Sequence, residues 1–231
     1  MKRVKTLAAG IFLLGQALSG AAFAASVTLA GNTIDFTFDD ALPGLFGPAA
    51  VSGDTLYFTP VDFEATSLNG AGFALTNDTV NIKVAAHDGW SFDSVDMAER
   101  GDYLLLGSGS TADVAGQMRV FDIAAPLTDT TVSIASLSPL NLMGVPAHNW
   151  AAEASVKLSA WESTRAINVT LENLLLVSTG TSPSLAFVEK KFVGLTPVMV
   201  AAAPVPEAET YAMMLAGLGL VGVAAARRRI A

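Results

Sequence analysis

Thr33-Ile34-Asp35-Phe36-Thr37-Phe38-Asp39 alternates polar and apolar side chains without a break. Successive side chains of a β-strand point to opposite faces. Such a stretch therefore puts Ile34, Phe36 and Phe38 on a core and leaves the residues between them toward solvent. One wet face and one dry face is the habit of antiparallel sheets. The same period of two returns in Thr79–Val84, in Ser155–Ser159 and in Ile167–Glu172, the last running into the continuous apolar stretch Leu174–Val177. Further strands are expected at Ser26–Leu29, Thr55–Phe58, Val61–Ala65, Tyr103–Leu106, Gln117–Ile123, Thr131–Ile134 and Leu185–Leu195. Turn formers separate them: Gly31-Asn32, Ser52-Gly53-Asp54, Asn69-Gly70, Asn77-Asp78, Asp88-Gly89, Gly107–Ser110 and Ser178–Pro183. Short strands at close spacing, with no amphipathic helix between them, predict an all-β fold: a single antiparallel β-sandwich or jelly-roll-like domain. Two stretches resist the strand pattern. Ala41–Ala50 reads as a Pro/Gly loop whose apolar side chains cover an end of the core. Pro139–Trp150 reads as a long connection with a short turn of helix.

Both ends of the chain depart from this pattern. Lys2, Arg3 and Lys5 precede an uncharged stretch from Thr6 to Leu18, followed by small residues ending Ala22-Phe23-Ala24. Basic, apolar and small-residue regions in that order make a secretory signal peptide over residues 1–24, with Ala22 and Ala24 at the cleavage site. At the other end, Val205-Pro206-Glu207 leads into an uncharged run, Tyr211–Ala226, closed by Arg227, Arg228 and Arg229. Sixteen residues at about 1.5 Å each give roughly 24 Å of helix, slightly short of a bilayer core of about 30 Å. Arginines snorkelling to the headgroups add length, and their position on one flank keeps them cytoplasmic. The expected organisation is a signal peptide (1–24), a sandwich body (25–196), an Ala/Pro-rich linker (197–204) and a tail (205–231) with a transmembrane helix at 211–226.

The tail, with Pro206-Glu207, a Gly/Leu/Ala-rich helix and the Arg227–Arg229 cluster in fixed order, resembles the PEP-CTERM sorting signal of Gram-negative bacteria. Ala208 stands where that motif has its second proline. The resemblance implies that the tail is held transiently in the inner membrane and removed by an exosortase, a multi-spanning membrane enzyme. It also implies a setting of exopolysaccharide and biofilm. Signal peptidase and a Sec-type translocon are the partners the front of the chain implies.

The body, about 180 residues, is the size of one domain. It carries seven basic residues against nineteen acidic ones, near −12, where the whole chain is −8. This balance repels nucleic acid and anionic lipid and makes cations the natural partners. With no cysteine, neither a disulfide framework nor thiolate zinc sites are available, and the core must hold the fold.

No nucleophile elbow, zincin helix, P-loop or dinucleotide fingerprint occurs, and a non-enzymatic protein is expected. Asp88, Asp93, Asp96 and Glu99 fall close together, with Asp102 just beyond. Calcium takes six to eight oxygens, so these acids form a candidate site, with a solvated acidic edge as the competing reading. Apart from calcium at that cluster, no cofactor is expected. Trp90 and Trp150, read as loop residues, form a candidate platform for sugar rings; the competing reading places them in the core. His87 and His148 read as loop histidines beside these indoles. The sequence thus predicts an exported envelope or extracellular-matrix protein, structural or adhesive in a polysaccharide matrix. A carbohydrate-binding sandwich, calcium-assisted, is the alternative, and a polysaccharide-active enzyme with an unidentified carboxylate pair is a third.

Overall fold

A computed structural model describes residues 26–39, 44–161, 164–202 and 212–220. The alternating stretches become strands, and the strands pair antiparallel throughout two sheets. The first sheet runs β1 (Ser26–Ala30), β2 (Ile34–Asp39), β6 (Gly72–Ala86), β11 (Ala166–Thr179), β8 (Thr111–Asp122) and β9 (Asp129–Ala135). The second runs β10 (His148–Lys157), β7 (Trp90–Leu106), β12 (Leu185–Ala201), β4 (Thr55–Phe58) and β3 (Ala49–Ser52), with β5 (Glu64–Leu68) also paired to β12. The predicted all-β antiparallel sandwich is what forms.

The inner faces supply the core. Ile34, Phe36, Ile82, Val120, Val169 and Leu171 come from the first sheet, and Leu56, Val95, Val188 and Leu195 from the second, all fully buried. At one end Phe46, on a 3-10 turn (Gly44–Phe46), packs edge-on against Phe58 at 5.6 Å and Phe63 at 5.7 Å, while Phe38 meets Phe58 at 6.1 Å. Offset aromatic contacts of this kind add to the area they bury. The Pro/Gly stretch therefore does cap the core, through Phe46; residues 41–43 lie outside the described residues.

Several expected boundaries are corrected. Asn77-Asp78 is no turn: both residues lie inside β6, opposite Leu174 and Asn173 of β11. The acidic stretch after Asp88 forms the seventeen-residue strand β7. Residues 139–147 contain no helical turn, and Trp150 belongs to β10. Most of the expected linker is strand as well. Pro197–Ala201 complete β12, pairing with Val95 through Trp90 of β7, so the body extends past residue 196. A β-strand needs a partner more than a propensity, and these segments have partners on one or both sides.

β12 and β7 pair along their whole length, with irregularities at Lys190/Phe192 and Val198/Met199. The first leaves Lys191 unpaired as the extra residue of a bulge, which reverses the parity of the strand. Before it Ala186, Val188 and Lys190 face inward; after it Val193 and Leu195 do.

Candidate functional site

The inward positions of three strands meet at polar side chains rather than apolar ones. On β11, Asn173 occupies the inward place between Leu171 and Leu175. On β7, Glu99 sits between Met97 and Gly101, and on β12 Lys190 follows Ala186 and Val188. Lys190 pairs with Gly101, so Glu99 is its diagonal neighbour on the same face, within reach of long side chains. Lys190 and Glu99 side chains are fully buried and Asn173 is 0 % exposed.

Lys190 Nζ donates to Glu99 Oε2 at 2.5 Å and, across the sandwich, to Asn173 Oδ1. The rings of Phe63 and Trp150 lie over the same nitrogen, 5.3 Å and 5.7 Å from ring centre to Nζ. Burial pushes the Lys190 ammonium down from the ordinary lysine value, opposed by the charge and the hydrogen bond of Glu99. Two atoms of this cluster, Glu99 Oε1 and Asn173 Nδ2, are buried without a hydrogen-bond partner. Withdrawing an ion pair from water is costly even when the pair is well made, and each unpaired polar atom adds to that cost.

Trp150 closes the cluster on its outer side. Its indole N–H donates to the Glu189 carbonyl at 3.0 Å, and its ring packs over Gly101. Beyond it opens a groove of about 600 Å³, which Trp150 shares with Arg100, Asp102, Tyr103, Leu140 and Lys191. Lys191, outward where Lys190 is inward, pairs with Asp102 and with Glu189 at 2.9 Å.

The expected sites are not assembled. Asp88 is exposed in the turn before β7. Asp93 pairs with Lys157 at 3.6 Å, Asp96 accepts from the Ser155 hydroxyl at 2.6 Å, and Glu99 faces the core. Alternation along β7 sends these carboxylates to different faces and different partners. Among the described residues no group of three His, Asp or Glu side chains is placed to hold a metal ion. The tryptophan platform is corrected too. Trp90 opens β7 opposite Ala201, whereas Trp150 stands opposite Gly101 on the same strand. Eleven residues of β7 separate the two positions, roughly 35 Å of strand at about 3.3 Å per residue, and Trp150 is only 6 % exposed. His87 pairs with Asp35 at 3.0 Å, while His148 packs against Tyr103 at 5.5 Å between ring centres. They share no site.

Sequence reading missed Lys190 and Asn173 and misplaced Glu99. The signal was present as parity: Asn173 interrupts an alternating run at a position where a leucine is due. For Lys190 and Glu99 the bulges on β12 and β7 disguise the parity, and only the pairing reveals it.

Of the sorting residues, Ala22, Ala24, Pro206, Glu207, Arg227, Arg228 and Arg229 lie outside the described residues. Within the expected membrane helix only 212–220 is described; it is helical and exposed. No helix among the described residues is long and apolar enough to cross a membrane.

Residues 204–229 match the family model of the PEP-CTERM protein-sorting motif. The chain carries that motif at its C-terminus, as its residues predicted. No curated protein matches the chain significantly. Among solved structures, infectious bursal disease virus of the Gx strain is similar at 13 % identity, with a TM-score of 0.31 over 73 % of this chain and 50 % of the viral one. The Gt strain gives 10 % identity, a TM-score of 0.26 and 71 % and 47 % coverage. The chain thus spans about half the length of either viral chain. TmCBM61 in complex with β-1,4-galactotriose is similar at 11 % identity and a TM-score of 0.20, covering 59 % of this chain and 90 % of that one.

Proposed function

We propose that this is an exported, non-enzymatic protein, delivered by its signal peptide and sorted through its tail by an exosortase-type enzyme of the inner membrane. The observation that carries the reading is the sorting motif at residues 204–229. The tail holds the chain in the membrane during export, with Arg227, Arg228 and Arg229 on the cytoplasmic side. Cleavage near Pro206-Glu207 then leaves the acidic sandwich at the cell surface or free outside it. There its role is structural or adhesive, within an extracellular polysaccharide matrix. The fold suits that role: with no cysteine in the chain, two sheets closed on an apolar core of this size can hold the body together outside the cell without a disulfide.

Intact-mass analysis of the protein from the envelope and the medium of its native host tests this. The expected species begins at Ala25 and ends near Pro206, and replacing Pro206 and Glu207 together by alanine leaves the tail attached. A mature species that retains Arg229 in the unmodified protein would overturn the proposal and make the tail a plain anchor.

A further inference from the structure

We propose that Lys190 and Asn173 join in an intramolecular isopeptide bond, formed by the protein itself with Glu99 as the proton-transfer group, which locks the two sheets of the sandwich together covalently. The proposal does not rest on the sorting reading. It concerns the folded body wherever that body resides.

The cluster has the parts an amide exchange needs. The nucleophile is the Lys190 amine, and its target is the side-chain amide of Asn173. The two hydrogen-bond across the sandwich, with Lys190 Nζ against Oδ1. Reactants held together by a fold react as if at very high concentration. Amines attack only when neutral, and the fully buried, aromatic-lined pocket lowers the Lys190 ammonium toward that form. Among the described residues the carboxylate in contact to take the proton it gives up is Glu99, through Oε2. Transfer replaces a buried ion pair by a neutral amine and a neutral acid, the form an apolar interior favours.

Neutral Lys190 Nζ forms a bond to Asn173 Cγ while Glu99, now protonated, hydrogen-bonds the amide. The tetrahedral centre collapses by breaking the Cγ–Nδ2 bond. Nδ2 takes a proton from Glu99 and leaves as ammonia, and the surplus proton on Nζ passes to Glu99. The product is a secondary amide and ammonia, with Glu99 again a carboxylic acid and no oxidant or cofactor consumed. Ammonia leaves by way of Trp150, which separates the pocket from the external groove. Because the reaction consumes its own side chains it turns over once, so it does not make the protein an enzyme.

An independent observation favours the covalent state. The two unpaired atoms of the cluster are Asn173 Nδ2 and Glu99 Oε1, one the leaving nitrogen and the other the second oxygen of the group that serves it. In the unreacted pocket both are buried polar atoms without partners, each a standing cost. After reaction Nδ2 no longer exists, the buried ammonium is gone, and Glu99 retains an amide to bond.

The test is mass spectrometry of the purified full-length chain, denatured and digested with trypsin. Between Arg165 and Lys191 the chain offers trypsin Lys190 alone. The cross-linked protein gives Ala166–Lys191, uncut at Lys190 and lighter than its sequence by one ammonia. A second protease cutting after Glu172 and Glu189 then leaves the Asn173 and Lys190 segments in one branched species. Asn173→Asp should lose one water in place of ammonia, and Glu99→Gln should give the free peptide Ala166–Lys190 at full mass. Free Ala166–Lys190 from the unmodified protein overturns the proposal, as does loss of ammonia with Lys190 still cleavable, which would report cyclisation at Asn173 alone. A cross-link persisting in Glu99→Gln would overturn the role of Glu99. Should that variant fail to fold, the unmodified protein and Asn173→Asp decide the matter between them.

Discussion

His87 Nε2 stands 3.0 Å from Asp35 Oδ1, with both side chains more than a third exposed. The hydrogen bond to Asp35 is the main cause that raises this histidine above its ordinary 6.5. Partial burial opposes the rise, and the charges of Asp35 and Asp54 and a backbone contact at Asn32 assist it. A group whose value is higher folded than unfolded stabilises the fold in full below its unfolded value, near 6.5. That contribution fades as pH rises through the folded value. The expected result is an NMR titration of His87 with a midpoint above 6.5, moved down in Asp35→Asn. The same variant should flatten this part of the stability–pH curve. No such coupling was legible from Ala86-His87-Asp88, because Asp35 is remote in sequence and arrives only when β2 pairs with β6. Glu99 and Lys190 teach the same point more sharply: read in sequence, one belongs to an acidic run and the other to a pair of surface lysines.

At the scale of elements, period-two alternation located the strands correctly where both flanks were ordinary, as in β2, β4 and β11. It failed where strands are long. β6 and β7 run through Asn77-Asp78 and through Gly101, residues that favour turns in isolation but here lie inside strands, the first two against β11 and Gly101 between β10 and β12. Gly101 shows why a turn former is needed inside a strand. A Cβ there would meet the Glu189 carbonyl oxygen and, at 2.7 Å, the Trp150 indole. The close approach lets Trp150 lie flat over the buried Lys190. Gly101→Ala should therefore destabilise the body by about 1–3 kcal/mol, the usual cost of overpacking. A lower urea midpoint would register it, and Trp150 emission should shift to the red as the indole lifts. A variant with an unchanged midpoint would mean that β7 slides without cost and that the packing of Trp150 on Gly101 is loose.

For the molecule as a whole, the sorting tail and the body were legible to different degrees. The tail was readable because an address is read as linear sequence: Pro206-Glu207, an uncharged run and three arginines suffice. The reactive centre was not, since it joins residues from three strands and two sheets. Its position decides how the body would respond to load. If the body is held through its C-terminal end, force enters at Ala201 and peels β12 back along β7. A hydrogen-bonded strand gives way residue by residue; a Lys190–Asn173 amide stops the peeling at Lys190 and passes the load to β11, in the middle of the opposite sheet. The bond closes a loop between residues 17 apart, and a covalent loop of that size is worth about 3 kcal/mol by restricting the unfolded chain. Unlike a disulfide it survives any reductant. Pulling single molecules between the N-terminus of the body and its C-terminal end gives a direct reading. The enclosed segment cannot extend, so at about 3.5 Å per residue the unmodified protein should unravel roughly 60 Å shorter than Glu99→Gln. Equal contour lengths would mean that both sheets separate completely and that no covalent tie exists between them.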